Sequence, residues 1–387
     1  MKKNICFYTG SRSEYGIFST LIKKFKEKKK FNINVALSGT HFSKKYGNSF
    51  TEVKRDKIQF DKLKINLTSE KYLSIQKQMS VLMIKFSKYL VKKKINFLFV
   101  LGDRFDLVPV VYAAVMNRIP VCHLHGGEIT SGIIDDYIRH SVTKLSNFHF
   151  VSNIKYKKRL TQMGENPKNV FLVGSTSIDK IKNMQFYNKS ELSNKFKIKL
   201  GNKIILITFQ PLSLKKKNSK KEILSLLRVI KEFKSYDVIF TFPNFDLGSE
   251  FIIKQIKKVK KQNKNIFYFK TLGQKNYLSF AKISKVVVGN SSSGIIEIPY
   301  LGIPVVNVGE RQRGRVKHSS IINCNTNTKE IKKSILFAIK NHEKIKKKSI
   351  RNKIYGNGLT SQKIYKIFCD YILKQKSIEK KFFDIKN

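Results

Sequence analysis

Residues 121–140, VCHLHGGEITSGIIDDYIRH, bring three histidines, one glutamate and two aspartates together behind a short apolar run. Side chains of these types exchange protons near neutral pH when their surroundings tune them. His123 and His125 lie two apart at the expected end of a strand and so are expected to share a face. Gly126 and Gly127 allow a tight turn, and Glu128 follows it. Asp135 and Asp136 fall in the first turn of an expected helix, with His140 four residues after Asp136. An H-x-H pair can also ligate a metal. The remaining histidines, His41, His140, His149, His318 and His342, supply no second ligand pattern, so acid–base chemistry without a metal or other cofactor is expected. The plainer reading makes the aspartates partners of a helix dipole and His123 a satisfied core histidine. That accounts for one such residue and not for the cluster.

Other motifs suggest what this chemistry acts on. GNSSSGIIEIP (289–299) joins a glycine and a serine triplet to a helix start, where backbone N–H groups and the hydroxyls of Ser291 and Ser292 can hold a diphosphate. Glu297 follows at a distance suited to the two hydroxyls of a ribose, although the same stretch also reads as an ordinary serine N-cap. GERQRGR places Arg311, Arg313 and Arg315 in a chain that otherwise prefers lysine, and the arginine fork suits bidentate phosphate contacts. Arg12, in TGSRSEYG, and Arg104, in GDRFD, are similarly placed. Asp103 precedes Arg104, and its alternative use is to cap a helix beginning near Leu107.

Positioning these residues requires strands that end at them. Apolar, β-branched runs alternate with amphipathic ones, as in parallel βαβ units. In the first half strands are expected at 5–9, 32–38, 97–101, 120–124, 149–152 and 170–173, with helices including 14–28, 71–92 and 107–117. A stretch from about 177 to 202, rich in lysine, asparagine and serine, reads as a connector. Strands then resume at 203–208, 237–241, 266–268, 285–288 and 305–308. The expectation is an α/β chain with two doubly wound, Rossmann-like domains: 1–180 with the acid–base residues, 181–355 for nucleotide binding, and a C-terminal helix in 356–387 packing back on the first. Each motif follows an expected strand, and ligands of such sheets bind beyond the strands' carboxyl ends. One composite site in an inter-domain cleft is therefore expected.

The 78 basic and 26 acidic residues leave a net charge of +52, which invites a nucleic-acid reading. The excess is mostly lysine spread over the whole chain, without stacking aromatics between arginines, so no nucleic-acid partner is expected. No apolar segment approaches the roughly 18 residues that span a membrane. The four cysteines lack zinc spacing and read as reduced thiols of a cytoplasmic protein.

In these motifs the chain resembles the hydrolysing UDP-N-acetylglucosamine 2-epimerases of sialic acid and related nonulosonic acid synthesis. The resemblance runs through TGSRSEYG, YGNSF, LGDRFD, HLHGGEITSGIIDDYIRHSVTKLSNFHF, FPNFDLGS, GNSSSGIIEIP and VNVGERQRGR. It implies a glycosyltransferase-B-like fold, release of UDP and N-acetylmannosamine through a glycal, and a homodimer or homotetramer. Carried over by residue, it implies that Asp103 and Asp135 are acid–base groups, with His125 and Glu128 sharing or tuning the role. Arg12, Arg104, Gln210, Asn244, Ser291, Ser292, Glu297 and Arg311 are implied UDP contacts. The chain has His125 where some members have glutamate, and Gln210 where many have histidine. The alternatives are the same reaction on a GDP-linked or 2,4-diacetamido sugar, or a non-hydrolysing epimerase.

Overall fold

The apolar runs fold as parallel strands in two separate sheets. In this computed structural model residues 2–43, 48–67, 71–244, 246–350 and 353–385 are described. Tyr46 and Gly47 of YGNSF and Phe245 of FPNFDLGS lie outside the described residues.

The first sheet comprises β1 (Asn4–Thr9), β2 (Asn32–Leu37), β3 (Asp61–Lys62), β4 (Phe97–Leu101), β5 (Val121–Leu124), β6 (Phe148–Val151) and β7 (Val170–Leu172), ordered β3-β2-β1-β4-β5-β6-β7. The second comprises β8 (Ile204–Thr208), β9 (Asp237–Thr241), β10 (Ile266–Phe269), β11 (Val286–Gly289), β12 (Val305–Val308) and β13 (Ile321–Cys324), ordered β10-β9-β8-β11-β12-β13. Both are doubly wound. The order reverses between β1 and β4 in one and between β8 and β11 in the other, the places where such sheets open a crevice at their carboxyl ends.

Helices cover both faces of a parallel sheet, so its central strands read as continuous apolar runs. Every residue of β8 and all but the first of β1 are buried accordingly. Phe7, Phe25 and Phe99 pack edge to face and stacked in the first core, while Ile207, Phe240, Val288 and Val306 belong to the second.

The chain divides into two units: Met1–Glu128, Ile134–Lys182 and Ile354–Asn387, and Ile129–Ile133 with Asn183–Lys353. The helix Thr360–Asp370 belongs to the first, where Phe368 meets Phe25 and Phe99.

Three features depart from the expected pattern. β3 is two polar residues long, too short to carry a period, and β13 (Ile321–Cys324) is only partly buried, so it lacks the continuously apolar composition of the central strands. The expected connector holds two helices, Thr176–Lys182 and Lys189–Phe196. The second is started by a capping box between Asn188 and Glu191, a local signal hidden by the surrounding lysine and asparagine. Among the described residues no helix is long and apolar enough to cross a membrane. All four cysteines are free thiols.

Candidate active site

In the first unit the neighbouring strands β1 and β4 end in Gly10–Glu14 and Asp103–Asp106. At Gly10 a Cβ would fall 1.6 Å from Asp106 Oδ2, so only glycine admits that approach. Ser11 caps the helix Arg12–Glu27, and the Gly10 N–H donates to Glu14 Oε2 at 2.8 Å. Burial pushes the Glu14 carboxyl up to about 8, with Asp106 adding to the effect and Arg104 opposing it. Tyr8 donates to Asp106 Oδ2 at 2.8 Å, and the buried Arg104 places Nε 3.4 Å from Asp106 Oδ1. Arg12 is half-buried in the first turn of its helix.

Asp103 does not cap the helix Leu107–Met116. Asp106 holds the N-cap position, and the Leu107 N–H donates to the Arg104 carbonyl. Asp103 is ion-paired instead with Arg139, which is only 1% exposed. Arg139 Nη1 also donates to Asp136 Oδ1 at 2.7 Å and to the Glu128 carbonyl at 2.8 Å. Burial works against the Arg139 charge, yet Asp103, Glu128 and Asp136 outweigh it and raise the pKa. A permanent cation thus sits against the Asp103 carboxylate, tying the end of β4 to the helix Asp135–Leu145. Asp135 opens that helix and is half-buried.

His123, within β5, and His125, just after it, do not share a face. β5 stops at Leu124, and His125 takes up a left-handed backbone, φ +65°, which turns its ring out of the strand alternation. His123 Nε2 lies 2.8 Å from the Gly102 carbonyl and Nδ1 3.3 Å from Thr143 Oγ1. Burial takes the His123 pKa to about 3, which leaves a neutral ring. His125 Nδ1 lies 2.8 Å from Glu128 Oε1, and its Nε2 lies 3.4 Å from Ser175 Oγ. Ser152 donates to the same Glu128 oxygen at 3.2 Å. The positive φ of a non-glycine residue at such a cluster is the kind of strain that functional sites hold.

The second unit gathers its loops with amides. Asn290 follows β11, where a Cβ on Gly289 would meet the Thr208 carbonyl at 2.0 Å. The Asn290 side chain accepts from Gln210 N at 2.7 Å and donates to Gln210 O at 2.9 Å. The Asn290 backbone carbonyl accepts from Arg311 Nη1 at 3.0 Å and Gln312 Nε2 at 2.8 Å. Gln210 Oε1 in turn accepts from Asn244 N at 2.9 Å. Loops after β8, β9, β11 and β12 are thereby joined. Ser293 Oγ bridges Ser291 Oγ at 3.1 Å and Tyr277 OH at 2.7 Å, while Gln274 Nε2 donates to Glu297 Oε1 at 2.9 Å. Ser292 is half-buried beside them. The three arginines of GERQRGR have different surroundings: Arg311 reaches Asn290, Arg313 pairs with Glu310 on the surface, and the buried Arg315 donates to Thr130 Oγ1 at 3.2 Å.

Asp103, His125, Glu128 and Asp135 thus fall in the first unit with Arg12 and Arg104, and Gln210, Asn244, Ser291, Ser292, Glu297 and Arg311 fall in the second. The sequence reading missed Arg139, although an arginine three residues after Asp136 in a lysine-rich chain was a usable signal. It also missed Glu14 and Asn290, each inside a quoted motif.

The family profile described as UDP-N-acetylglucosamine 2-epimerase matches residues 23–369. A Campylobacter jejuni protein called GDP/UDP-N,N'-diacetylbacillosamine 2-epimerase (hydrolyzing) is 37% identical over 84% of this chain and 85% of its own. An Escherichia coli protein, polysialic acid biosynthesis protein P7, is 36% identical over 83% and 82%. The crystal structure of the Neisseria meningitidis UDP-GlcNAc 2-epimerase bound to UDP-GlcNAc superposes with a TM-score of 0.80 at 20% identity, over 96% of this chain and all of that one, a likeness of fold.

Proposed function

Because this chain belongs to the UDP-N-acetylglucosamine 2-epimerase family, we propose that it is a hydrolysing 2-epimerase that converts UDP-N-acetylglucosamine and water to N-acetylmannosamine and UDP. The C2 proton of the sugar is not adjacent to a carbonyl, so a base alone does not remove it. Departure of UDP from C1 gives oxocarbenium character, which acidifies C2–H. A carboxylate then takes that proton to form a glycal, and water adds at C1 while an acid protonates C2 from the opposite face. Two faces require two groups.

The observation that carries this reading is the tether of Arg139 to Asp103, Asp136 and the turn at Glu128, in the helix that Asp135 opens. The Arg139 charge favours an ionised Asp103, which we assign as the base that takes the C2 proton, and Asp135 as the group for the other face. His125 and Glu128, 2.8 Å apart, tune the pair. Arg12, Arg104 and Arg311 are assigned to the departing diphosphate, whose charge they stabilise as it develops. Ser291, Ser292, Gln210 and Asn244 are assigned to the nucleotide's polar groups and Glu297 to its ribose. The enzyme would act in the cytoplasm as a homodimer or homotetramer, supplying sialic or related nonulosonic acid synthesis.

The name of the Campylobacter relative favours a second reading, the same reaction on a UDP- or GDP-linked 2,4-diacetamido sugar. Comparing kcat/KM for UDP-N-acetylglucosamine with that for UDP- and GDP-N,N'-diacetylbacillosamine tests both. Preference for the first supports the main reading, and preference for a diacetamido sugar replaces it with the second. Release of nucleotide from none of them defeats both.

A further inference from the structure

The helix Asp135–Leu145 carries Asp135, Asp136 and Arg139 toward its start, so its placement sets theirs. Its last carbonyls have no partner within the helix, and the negative end of its dipole lies there. The end is covered by the C-terminal tail. Lys380 Nζ lies 3.2 Å from the Thr143 carbonyl and 2.7 Å from those of Lys144 and Ser146. The same ammonium is 2.7 Å from Glu165 Oε2. Three N–H groups thus serve four acceptors.

Glu165 is 2% exposed and also takes His149 Nε2 at 2.8 Å and Lys144 Nζ at 2.9 Å. Burial works to raise its pKa, but these partners prevail and hold it down at about 2, so it is an anion throughout the working range. The tail is fixed on either side of Lys380. Asn147 Nδ2 donates to the Ile378 carbonyl at 2.9 Å and Phe383 N to the Gly164 carbonyl at 3.0 Å, while the Lys144 ammonium lies 4.8 Å from the centre of the Phe382 ring. The covered helix end also connects back to the chemistry. The Thr143 hydroxyl lies 3.3 Å from His123, whose other nitrogen lies 2.8 Å from the carbonyl of Gly102, next to Asp103.

We propose that Lys380 is a positioning residue: by clamping the C-terminal end of the 135–145 helix to Glu165, the tail fixes where Asp135 and Arg139, and through Arg139 Asp103, stand during turnover. This rests on the hydrolysing-epimerase reading for its kinetic consequence. It does not rest on that reading for its structural one. Lysine's flexible stem makes a general surface role the ordinary outcome for this chain, yet the Lys380 side chain is only 25% exposed and its donors converge on one helix end and on Glu165. A displacement of about 1 Å in an acid–base group costs up to roughly a hundredfold in rate.

The test uses the full chain with Lys380→Met, which keeps the apolar stem, and Lys380→Arg, which keeps the charge. Lys380→Met is expected to lower kcat at least about tenfold while KM and the UDP dissociation constant stay within about threefold. Hydrogen exchange should speed up across residues 135–145 and not in the second unit, and Lys380→Arg should restore much of both. A kcat within twofold of wild type, or a loss shared equally by UDP binding, would overturn the proposal. If wild type turns over no sugar nucleotide, the functional reading fails by itself. Exchange then decides alone: unchanged protection of residues 135–145 in Lys380→Met overturns the clamp, and lost protection confined to them supports it.

Discussion

The two sheets share one strand order over six strands, the first carrying a seventh at its edge, and finish their carboxyl ends differently. The first unit ends in ionisable groups that hold one another: Asp103, Asp136 and Arg139, His125 with Glu128, and Arg104 with Asp106. The second ends in neutral amides and hydroxyls, with Asn290 and Gln210 joining four loops and a Ser291–Ser293–Tyr277 chain beside them. Proton transfer needs groups that change charge at a working pH, and buried charges persist only when paired. The anion binding proposed for the second unit asks something different: a fixed cation such as Arg311 and oriented donors, with the loops joined mainly by neutral groups. Amides meet that demand.

The strongest break of this comparison is to neutralise the proposed acid–base groups. Asp103→Asn and Asp135→Asn should each lower kcat by about 10²- to 10⁴-fold with UDP affinity retained, measured by turnover and calorimetry. Wild-type-like turnover in both would remove them from the mechanism. Arg139→Met comes next, because it leaves Asp103 and Asp136 without their shared cation. A loss of about 3–5 kcal/mol in stability is expected from denaturant unfolding, with turnover falling as well.

Glu14 sharpens the contrast, since it is a buried acid of the first unit whose environment favours the neutral form. Its folded pKa of about 8 lies above the ordinary 4.5, so the folded state holds the proton more tightly. Its contribution to stability is complete below pH 4.5 and is lost as pH rises through 8. Glu14→Gln should therefore gain on wild type progressively over that window, by up to a few kcal/mol, in unfolding midpoints taken at several pH values. A constant difference at every pH would contradict the assignment.

The smallest effect is expected in the second unit. Asn290→Ala leaves Gln210 N and O without their partner, a cost of about 1–3 kcal/mol. It should appear as weaker UDP binding and a higher KM with kcat little changed. A kcat loss at constant KM would mean that the second unit takes part in the chemistry and would collapse the contrast.

Much of this was legible in the residues themselves. β4 and β12 begin and end at apolar residues and β9 brackets an apolar core with Asp237 and Thr241, because strands covered on both faces read as near-continuous apolar runs. β3, only Asp61 and Lys62, carries no such signature. Of the site, the ionisable cluster was readable because its residue types are rare in one turn. Its internal pairing was not: Asp103 meets Arg139 across 36 residues, and no local spacing encodes that contact. His125 was misjudged for a related reason. A strand's alternation stops where the backbone turns left-handed, and a histidine at that position does not announce the turn as a glycine would.

We propose that a sugar nucleotide is hydrolysed and inverted at C2 by acid–base groups of the first unit. Proton NMR in D₂O, with whichever sugar nucleotide gives the higher kcat/KM, tests it most directly. The expected products are free nucleotide and a free 2-epimerised sugar carrying one deuteron at C2, because solvent supplies the returning proton. A product still linked to the nucleotide, or a released sugar that keeps its original C2 proton, would contradict it.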